Sequence, residues 1–196
     1  VAIGILTQEG LEITFPHRSL QEYFAALYVT TISSANKNKI YDFLLPLFKE
    51  MFRIGFRQGE NSNFFSLLSE MDGIDFKKKL VIPSLEKIME QENDLTTTDE
   101  TINCFLSLYG ISSYVNSTML CAFKKEDMNY NKKFSKYCAD LNPNKEEMDM
   151  KSQMKLRDKA RVLLVKNDII PFLSEYKIDI IINEMEKEIE ISESID

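Results

Sequence analysis

The chain has 196 residues with a formal net charge of −7, and 44% of them are hydrophobic. These figures are ordinary for a globular domain with a sizeable core, and they are not those of a strongly basic nucleic-acid-binding protein. Because no apolar run is long enough to span a membrane and no secretory leader pattern opens the chain, the sequence predicts no membrane contact and a cytoplasmic location.

The three cysteines are far apart in the sequence and have no neighbouring cysteine or histidine at metal-ligand spacing: Cys104, Cys121 and Cys138. An odd number of cysteines without a secretion signal is typical of reduced thiols, mostly buried, and not of disulfides or a zinc site.

The N-terminal residues predict a β-hairpin. Apolar residues at 2–6 form the first expected strand, residues 7–10 contain a glycine and form the turn, and residues 11–15 alternate between apolar and polar. Alternation of this kind is typical of a strand with one buried face. A lone hairpin is marginal in water, so this one is expected to pack on another element.

A helix is predicted directly after the hairpin. Pro16 turns the chain, and Ser19 followed by Glu22 three residues later predicts a capping box and a helix that begins at Leu20. The apolar residues recur at helical spacing and predict one buried stripe. That stripe consists of Leu20, Tyr23, Phe24, Leu27 and Tyr28.

His17, the single histidine of the chain, precedes this helix. Backbone amides and the dipole at a helix N-terminus favour an anion, and an imidazole at that place can donate to a phosphate. The alternative is a purely structural histidine before a helix cap.

Residues 15–26 read Phe-x-His-x-Ser-x-Gln-Glu-Tyr-Phe-Ala-Ala. This pattern resembles the signature that closes the winged-helix domain of NACHT-type STAND NTPases, a group that includes NLR receptors and many bacterial defence proteins. The resemblance implies that His17 approaches the terminal phosphate of ADP and helps to keep the resting state closed. The helix that positions it would contain Gln21, Glu22, Tyr23 and Phe24.

The resemblance covers only residues 1–35. It implies that the chain is the C-terminal portion of a longer protein, in which a NACHT domain in cis binds ADP or ATP with Mg²⁺. The fragment itself is then expected to hold no cofactor and no metal.

The remaining sequence predicts a succession of amphipathic helices without a regular period. One is predicted over residues 130–141, one after a capping box formed by Thr97 and Glu100, and one over residues 178–189. The predicted fold is therefore mainly α, with the N-terminal β-hairpin as a winged-helix remnant followed by an irregular α-helical array. Predicted segments are 1–35 as the end of the winged-helix domain, 36–189 as a sensor or autoinhibitory array, and 190–196 as a disordered acidic tail. Residues 162–165 fit either a helix or a short buried strand.

The sequence contains no Gly-rich loop ending in Lys-Ser or Lys-Thr, and no nucleophile has an identifiable partner, so the chain is not expected to be an enzyme. Two carboxylate pairs, Asp72 with Asp75 and Glu146 with Glu147, have the chemistry to bind a cation. Solvated helix ends explain these pairs more simply.

Residues 120–166 carry twelve basic and seven acidic side chains, whereas residues 167–196 carry two and nine. The basic block has the composition of a nucleic-acid surface, or of a dock for the acidic residues 184–196. The simpler interpretation places its aromatic side chains in the core and its lysines in water. The residues concerned are Lys124, Lys125, Tyr130, Lys132, Lys133, Phe134, Lys136 and Tyr137. Lys77, Lys78 and Lys79 are interpreted as a solvated run.

Three functions follow from these observations. The first is a non-catalytic regulatory and recognition fragment of a NACHT-type signalling NTPase, with the NACHT domain in cis and a protein or ligand on the array as partners. The second is a self-contained helical scaffold that binds a protein. The third, a nucleic-acid-binding helical domain, is the least expected because the chain is acidic.

Overall fold

The computed structural model describes residues 7–9, 12–15, 17–51, 62–92, 95–114, 130–144, 147–175 and 177–194. The chain is mainly helical, as predicted. Its elements in order are β1 (Thr7–Glu9), β2 (Glu12–Thr14), α1 (Arg18–Thr31), α2 (Ser34–Glu50), α3 (Ser62–Met71), α4 (Gly73–Phe76), the π-helical turn π1 (Lys77–Val81), α5 (Ile82–Glu92), α6 (Thr98–Ile111), a 3-10 turn (Ser112–Tyr114), α7 (Tyr130–Leu141), α8 (Met150–Leu164), the second π-helical turn π2 (Val165–Ile169), α9 (Ile170–Glu175) and α10 (Ile178–Glu193).

The two described strands are short and antiparallel, with Gln8 opposite Ile13. The sequence placed the first strand at residues 2–6, which lie outside the described residues, and placed a turn at residues 7–10. Since β1 occupies that predicted turn, the hairpin expected from the sequence is not the one observed.

The core centres on Phe48 of α2, which is completely buried. Its ring meets the edges of three other aromatic rings at centroid distances of 5.1 Å to Phe65, 5.4 Å to Phe76 and 5.3 Å to Tyr114. Such edge-to-face pairs are favoured by the ring quadrupoles. One continuous cluster of buried residues extends from here to Ala26 in α1 and to Ile189 in α10.

Strong local signals placed two helices correctly. Helix α7 has the predicted bounds, and α6 begins with the predicted capping box. There the Glu100 amide donates to the Thr97 hydroxyl at 3.2 Å, and the Glu100 carboxylate accepts from the Thr97 amide at 2.9 Å. Both contacts lie within a few residues of one another, so tertiary packing has little influence on them.

The two π-helical turns each come just before an Ile-Pro pair, Ile82-Pro83 and Ile170-Pro171. Proline has no amide hydrogen, and its ring clashes with the carbonyl four residues earlier. A wider turn avoids this clash, and the amides of Ile82 and Ile170 donate to carbonyls five residues back. Helical structure therefore continues through both prolines. The strand alternative for residues 162–165 is wrong, because these residues end α8 and begin π2.

The acidic C-terminal residues are helical as far as Glu193, so the tail predicted to begin at residue 190 is wrong over residues 190–193. Helix α10 packs on α5 and π1. Lys77 pairs there with Glu188 at 2.8 Å, and Lys78 pairs with Glu193 at 2.9 Å. The acidic helix thus pairs with two lysines of the run that the sequence interpreted as solvated.

A matched pair of substitutions in α2 tests the core. Phe48→Ala is expected to lower the free energy of unfolding by about 3–5 kcal/mol, because it leaves a cavity among three rings. Phe43, 68% exposed on the same helix, is the control, since Phe43→Ala should change stability by less than about 0.5 kcal/mol. Urea unfolding followed by circular dichroism measures both, and equal effects would contradict the assigned core.

Candidate functional site

Helix α1 begins earlier than the sequence predicted. Its first residue is Arg18, and His17 is the N-cap residue with extended backbone angles, φ −132° and ψ 132°. The Leu20 amide donates to the His17 carbonyl at 3.1 Å. His17 therefore lies at the end of the helix itself, and its exposed side chain makes no capping hydrogen bond.

The predicted capping box of Ser19 and Glu22 is wrong. The Glu22 carboxylate accepts from Arg18 Nε at 3.0 Å, one turn away, and from Asn63 Nδ2 of α3 at 2.7 Å. A guanidinium and a side-chain amide occupy the two oxygens, and the Glu22 carboxylate does not take up the Ser19 amide. Glu22 instead connects α1 to α3 through its hydrogen bond with Asn63.

The predicted buried stripe of α1 is also wrong. Ala26 and Val29 are the buried residues, and they lie on the side that packs against α3. Together with Glu22 they follow the helical spacing i, i+4, i+7. Because Ala26 has only a methyl group, α3 approaches closely at this position.

The large apolar side chains of α1 point away from α3. Tyr23 is 41% exposed, Phe24 and Leu27 are 37% exposed, and Tyr28 is 62% exposed. We call these four residues the outer face of α1. Phe15 extends it, since its ring stacks on Phe24 at a centroid distance of 5.6 Å. This face is the largest departure from the sequence prediction.

The partners of Asp72 form a second feature, which the sequence analysis did not predict. Asp72, between α3 and α4, accepts hydrogen bonds from Lys37 Nζ at 3.0 Å and from Tyr41 OH at 2.8 Å, both on α2. Neighbouring Asp75 lies 3.1 Å from Lys37 Nζ and 2.6 Å from Lys79 Nζ. Asp72 and Asp75 therefore lie in an ion network with the chain's own ammonium groups, and the simpler interpretation of this pair as solvated helix ends is wrong.

The same arrangement, which we call a clasp, occurs again in the second half of the chain. Asp168 in π2 accepts from Lys133 Nζ and, at 2.6 Å, from Tyr137 OH, both on α7. In both clasps the aspartate follows the lysine by 35 residues and the tyrosine by 31. A search for equal spacings of Lys-x-x-x-Tyr and Asp would have found it.

The second clasp changes the acidity of its carboxyl group. Partial burial alone would raise the pKa of Asp168, but hydrogen bonds from Lys133 and Tyr137 outweigh burial and hold that pKa below its ordinary value of 3.8. The Asp168 carboxylate is thus charged, and each of its oxygens accepts a hydrogen bond within the clasp, so it is not a candidate general base.

The aromatic residues of the basic block face the core, as the simpler interpretation of the sequence predicts. Tyr130, Phe134 and Tyr137 are partly buried and, like the other partly buried apolar residues around them, pack against the core. Lys133 is held in the clasp, while Lys132 and Lys136 are exposed. Lys124 and Lys125 lie outside the described residues. The described part of the block therefore offers no row of exposed aromatic rings for stacking bases.

The remaining candidate groups form no reactive cluster in the part of the chain described. Cys104 is buried and Cys138 is partly buried, neither of them in a disulfide, and Cys121 falls outside the described ranges. Glu147 is exposed, and Glu146 is not described. Over the described residues, no group of three or more His, Cys, Asp or Glu side chains is placed to hold a metal ion.

An open groove of about 760 Å³ lies between α2, α5 and α6. Burial, and then the nearby charge of Lys87, lower the pKa of Lys49 at its rim. Carboxylates of Glu90 and Glu100 line the same groove. Because both signs of charge are mixed there, the groove shows no preference for an anion or a cation.

None of the described helices combines the length and the apolar character needed to cross a membrane. No protein-family model, no curated protein and no solved structure matches this chain. The candidate site is therefore defined by its own geometry: an exposed histidine at the start of α1 and an exposed apolar face along the same helix.

Asp168→Asn tests the second clasp and its pH dependence. Because the pKa of Asp168 is lower in the folded chain than its ordinary 3.8, the charged clasp stabilises the fold above that value. This contribution is lost as the pH falls through the lower folded pKa. We expect the substitution to reduce the free energy of unfolding by about 1–2 kcal/mol at pH 7.

The difference between the two proteins should shrink progressively as the pH falls below about 4. Urea unfolding across a pH series measures it. Asp158→Asn, which changes an exposed carboxylate on α8, is the control and should have little effect at any pH. A penalty of equal size at pH 7 and pH 3 would contradict an electrostatic role for Asp168.

Proposed function

We propose that this chain is a non-catalytic regulatory and recognition part of a NACHT-type signalling NTPase. In the intact protein His17 would help to hold the ADP-bound closed state. The proposal starts from the motif in residues 15–26, and the exposed outer face of α1 is the observation that carries it. Four neighbouring apolar side chains exposed on a well-packed helix are typical of a surface that meets another domain.

The orientation of α1 supports this role. Its inner side is anchored to α3 through Ala26, Val29 and the hydrogen bond from Asn63 to Glu22. Its outer side carries the four apolar and aromatic residues of the outer face, with the exposed polar residues Gln21 and Thr31 beside them. A nucleotide-binding domain in cis, packed on the outer face, would bring its nucleotide towards the N-terminal end of α1.

The geometry of His17 fits an anion at that end. The side chain is exposed and makes no capping hydrogen bond, so its ring nitrogens are available to a phosphate oxygen. The adjacent helix N-terminus adds a favourable electrostatic field for negative charge. The sequence has no loop of its own to cradle a triphosphate, so we assign His17 a sensing role and not a catalytic one.

A helical scaffold that binds a separate protein is the second candidate, and the same outer face favours it. Apolar and aromatic surfaces of this kind also form the centres of protein–protein interfaces. The two candidates differ in one respect: only the NACHT proposal makes the occupancy of the outer face depend on nucleotide.

His17→Ala in the full-length protein tests the proposal. Removing one hydrogen bond to a charged phosphate costs about 1.5–3 kcal/mol, so ADP should dissociate about 10- to 150-fold faster. Basal oligomerisation should rise as well. Release of a fluorescent ADP analogue measures the first effect, and sedimentation velocity measures the second.

Ser19→Ala is the control for that substitution, since Ser19 is exposed and lies two residues further along. It should leave ADP release unchanged. An ADP dissociation rate that is the same in the wild type and in His17→Ala would overturn the role given to His17.

Tyr28→Ser tests the outer face separately from His17. Because Tyr28 is 62% exposed, the substitution should change the stability of this chain by less than about 0.5 kcal/mol. It should nevertheless raise basal oligomerisation of the full-length protein, whereas Phe43→Ser on α2 should not. Loss of a protein partner in Tyr28→Ser, with no effect of nucleotide on either variant, would favour the scaffold.

A further inference from the structure

Two helices of the chain have nearly opposite charge compositions. Helix α8 carries five basic residues and one acidic residue, whereas α10 carries six acidic residues and one basic residue. Neither imbalance is required by the core, which these helices contact through apolar side chains such as Ala160 and Ile181.

On α8 the exposed charges form a line. Lys151, Lys155 and Lys159 recur every four residues, and all three are exposed. They lie on the side of the helix opposite Ala160 and Leu164, which are buried. We call these three lysines the basic stripe. One carboxylate, Asp158, lies beside it.

On α10 the exposed carboxylates form a corresponding line. Asp179, Glu186 and Glu190 follow the spacing i, i+7, i+11, and all three are exposed. They lie away from the buried Ile181 and Met185, and we call them the acidic stripe. At 1.5 Å per residue it extends over roughly 17 Å. One ammonium group, that of Lys187, lies beside it.

The two stripes do not meet each other within one chain. Helix α8 packs on α7, whereas α10 packs on α5 and π1. The ion pairs of α8 and α10 include those of Arg161, Glu188 and Glu193, which belong to neither stripe. Both stripes are therefore charged surfaces facing solvent.

Exposed apolar side chains accompany each stripe. Met154 is 60% exposed and Val162 is 52% exposed on α8, and Ile191 is 62% exposed and Ile180 37% exposed on α10. A phosphate backbone would match the lysines of α8 but would leave its apolar groups uncovered. A second amphipathic helix of opposite charge matches both, and α10 is such a helix.

We propose that a second copy of this chain is the partner, with the basic stripe of α8 on one copy meeting the acidic stripe of α10 on the other. The contact joins two different surfaces, so it either repeats from copy to copy or is made twice in a two-fold pair. This inference is independent of the NACHT proposal, because it uses neither His17 nor the outer face of α1.

Exposed ion pairs are individually weak and are screened by salt. The full 196-residue chain should therefore associate reversibly at about 0.01 M salt and become monomeric at about 1 M, where the screening length is about 3 Å. Sedimentation velocity over a range of protein concentrations measures the average mass under each condition.

Two charge-reversed variants test the pairing itself. One carries Lys151→Glu, Lys155→Glu and Lys159→Glu, and the other carries Asp179→Lys, Glu186→Lys and Glu190→Lys. Each variant alone should associate about a hundredfold more weakly than the wild type, because attraction becomes repulsion. An equimolar mixture of the two should associate again, since each then offers the complement that the other lacks.

Lys155→Glu alone and Lys39→Glu, an exposed lysine on α2, form a matched pair with the same change in net charge. Only the first should weaken association. A wild-type chain that stays monomeric at low salt, or a mixture of reversed variants that does not associate, would overturn the proposal. Binding of a duplex oligonucleotide by such a monomeric wild type, lost in the lysine-reversed variant, would replace it with a nucleic-acid surface.

Discussion

The burial of Phe48 is the packing interaction on which the arrangement of the first helices depends. Its ring lies against rings from α3, from α4 and from the 3-10 turn after α6. Those elements are distant in sequence, so their approach costs backbone entropy that only apolar burial of this size offsets. Two turns earlier on α2, Tyr41 binds Asp72 and adds a directional contact to the same junction. Helix α1 is positioned by this junction because it packs on α3.

The two clasps show how the chain accommodates aspartates that are largely withdrawn from water. Burying a carboxylate is costly unless cationic and hydrogen-bonding partners surround it. A lysine and a tyrosine four residues apart project from one face of a helix and reach the two oxygens of a single aspartate. The first clasp binds Asp72 just before π1 and the second binds Asp168 inside π2. The two halves of the chain therefore share this arrangement of lysine, tyrosine and aspartate. They are not copies of one repeated unit, because the aspartate has a different position relative to the π-helical turn in each half.

The surfaces that remain available for partners differ in chemistry. The outer face of α1 is aromatic and apolar, whereas α8 and α10 present lines of opposite charge. An apolar face favours a lasting contact with another domain, and charged stripes favour a reversible contact that depends on salt. The two proposals therefore rest on separate surfaces, the outer face of α1 for a neighbouring domain and the charged stripes for another copy of the chain.

The sequence by itself determined what depends on near neighbours: the mainly helical class, the bounds of α7, and the capping box at Thr97. Tertiary structure decided which side of α1 is buried. Residues 22, 26 and 29 follow helical spacing, and so do the aromatic residues, so the sequence alone does not distinguish the two sides. Contact with α3 buries the first set. It likewise decided that the Glu22 carboxylate accepts a hydrogen bond from Asn63 of α3 and not from the Ser19 amide. Tertiary structure also decided that the last helix continues past the predicted residue 189 to Glu193. Helix α10 packs on α5 and π1, and Glu193 pairs with Lys78, 115 positions earlier, a contact that no local pattern encodes.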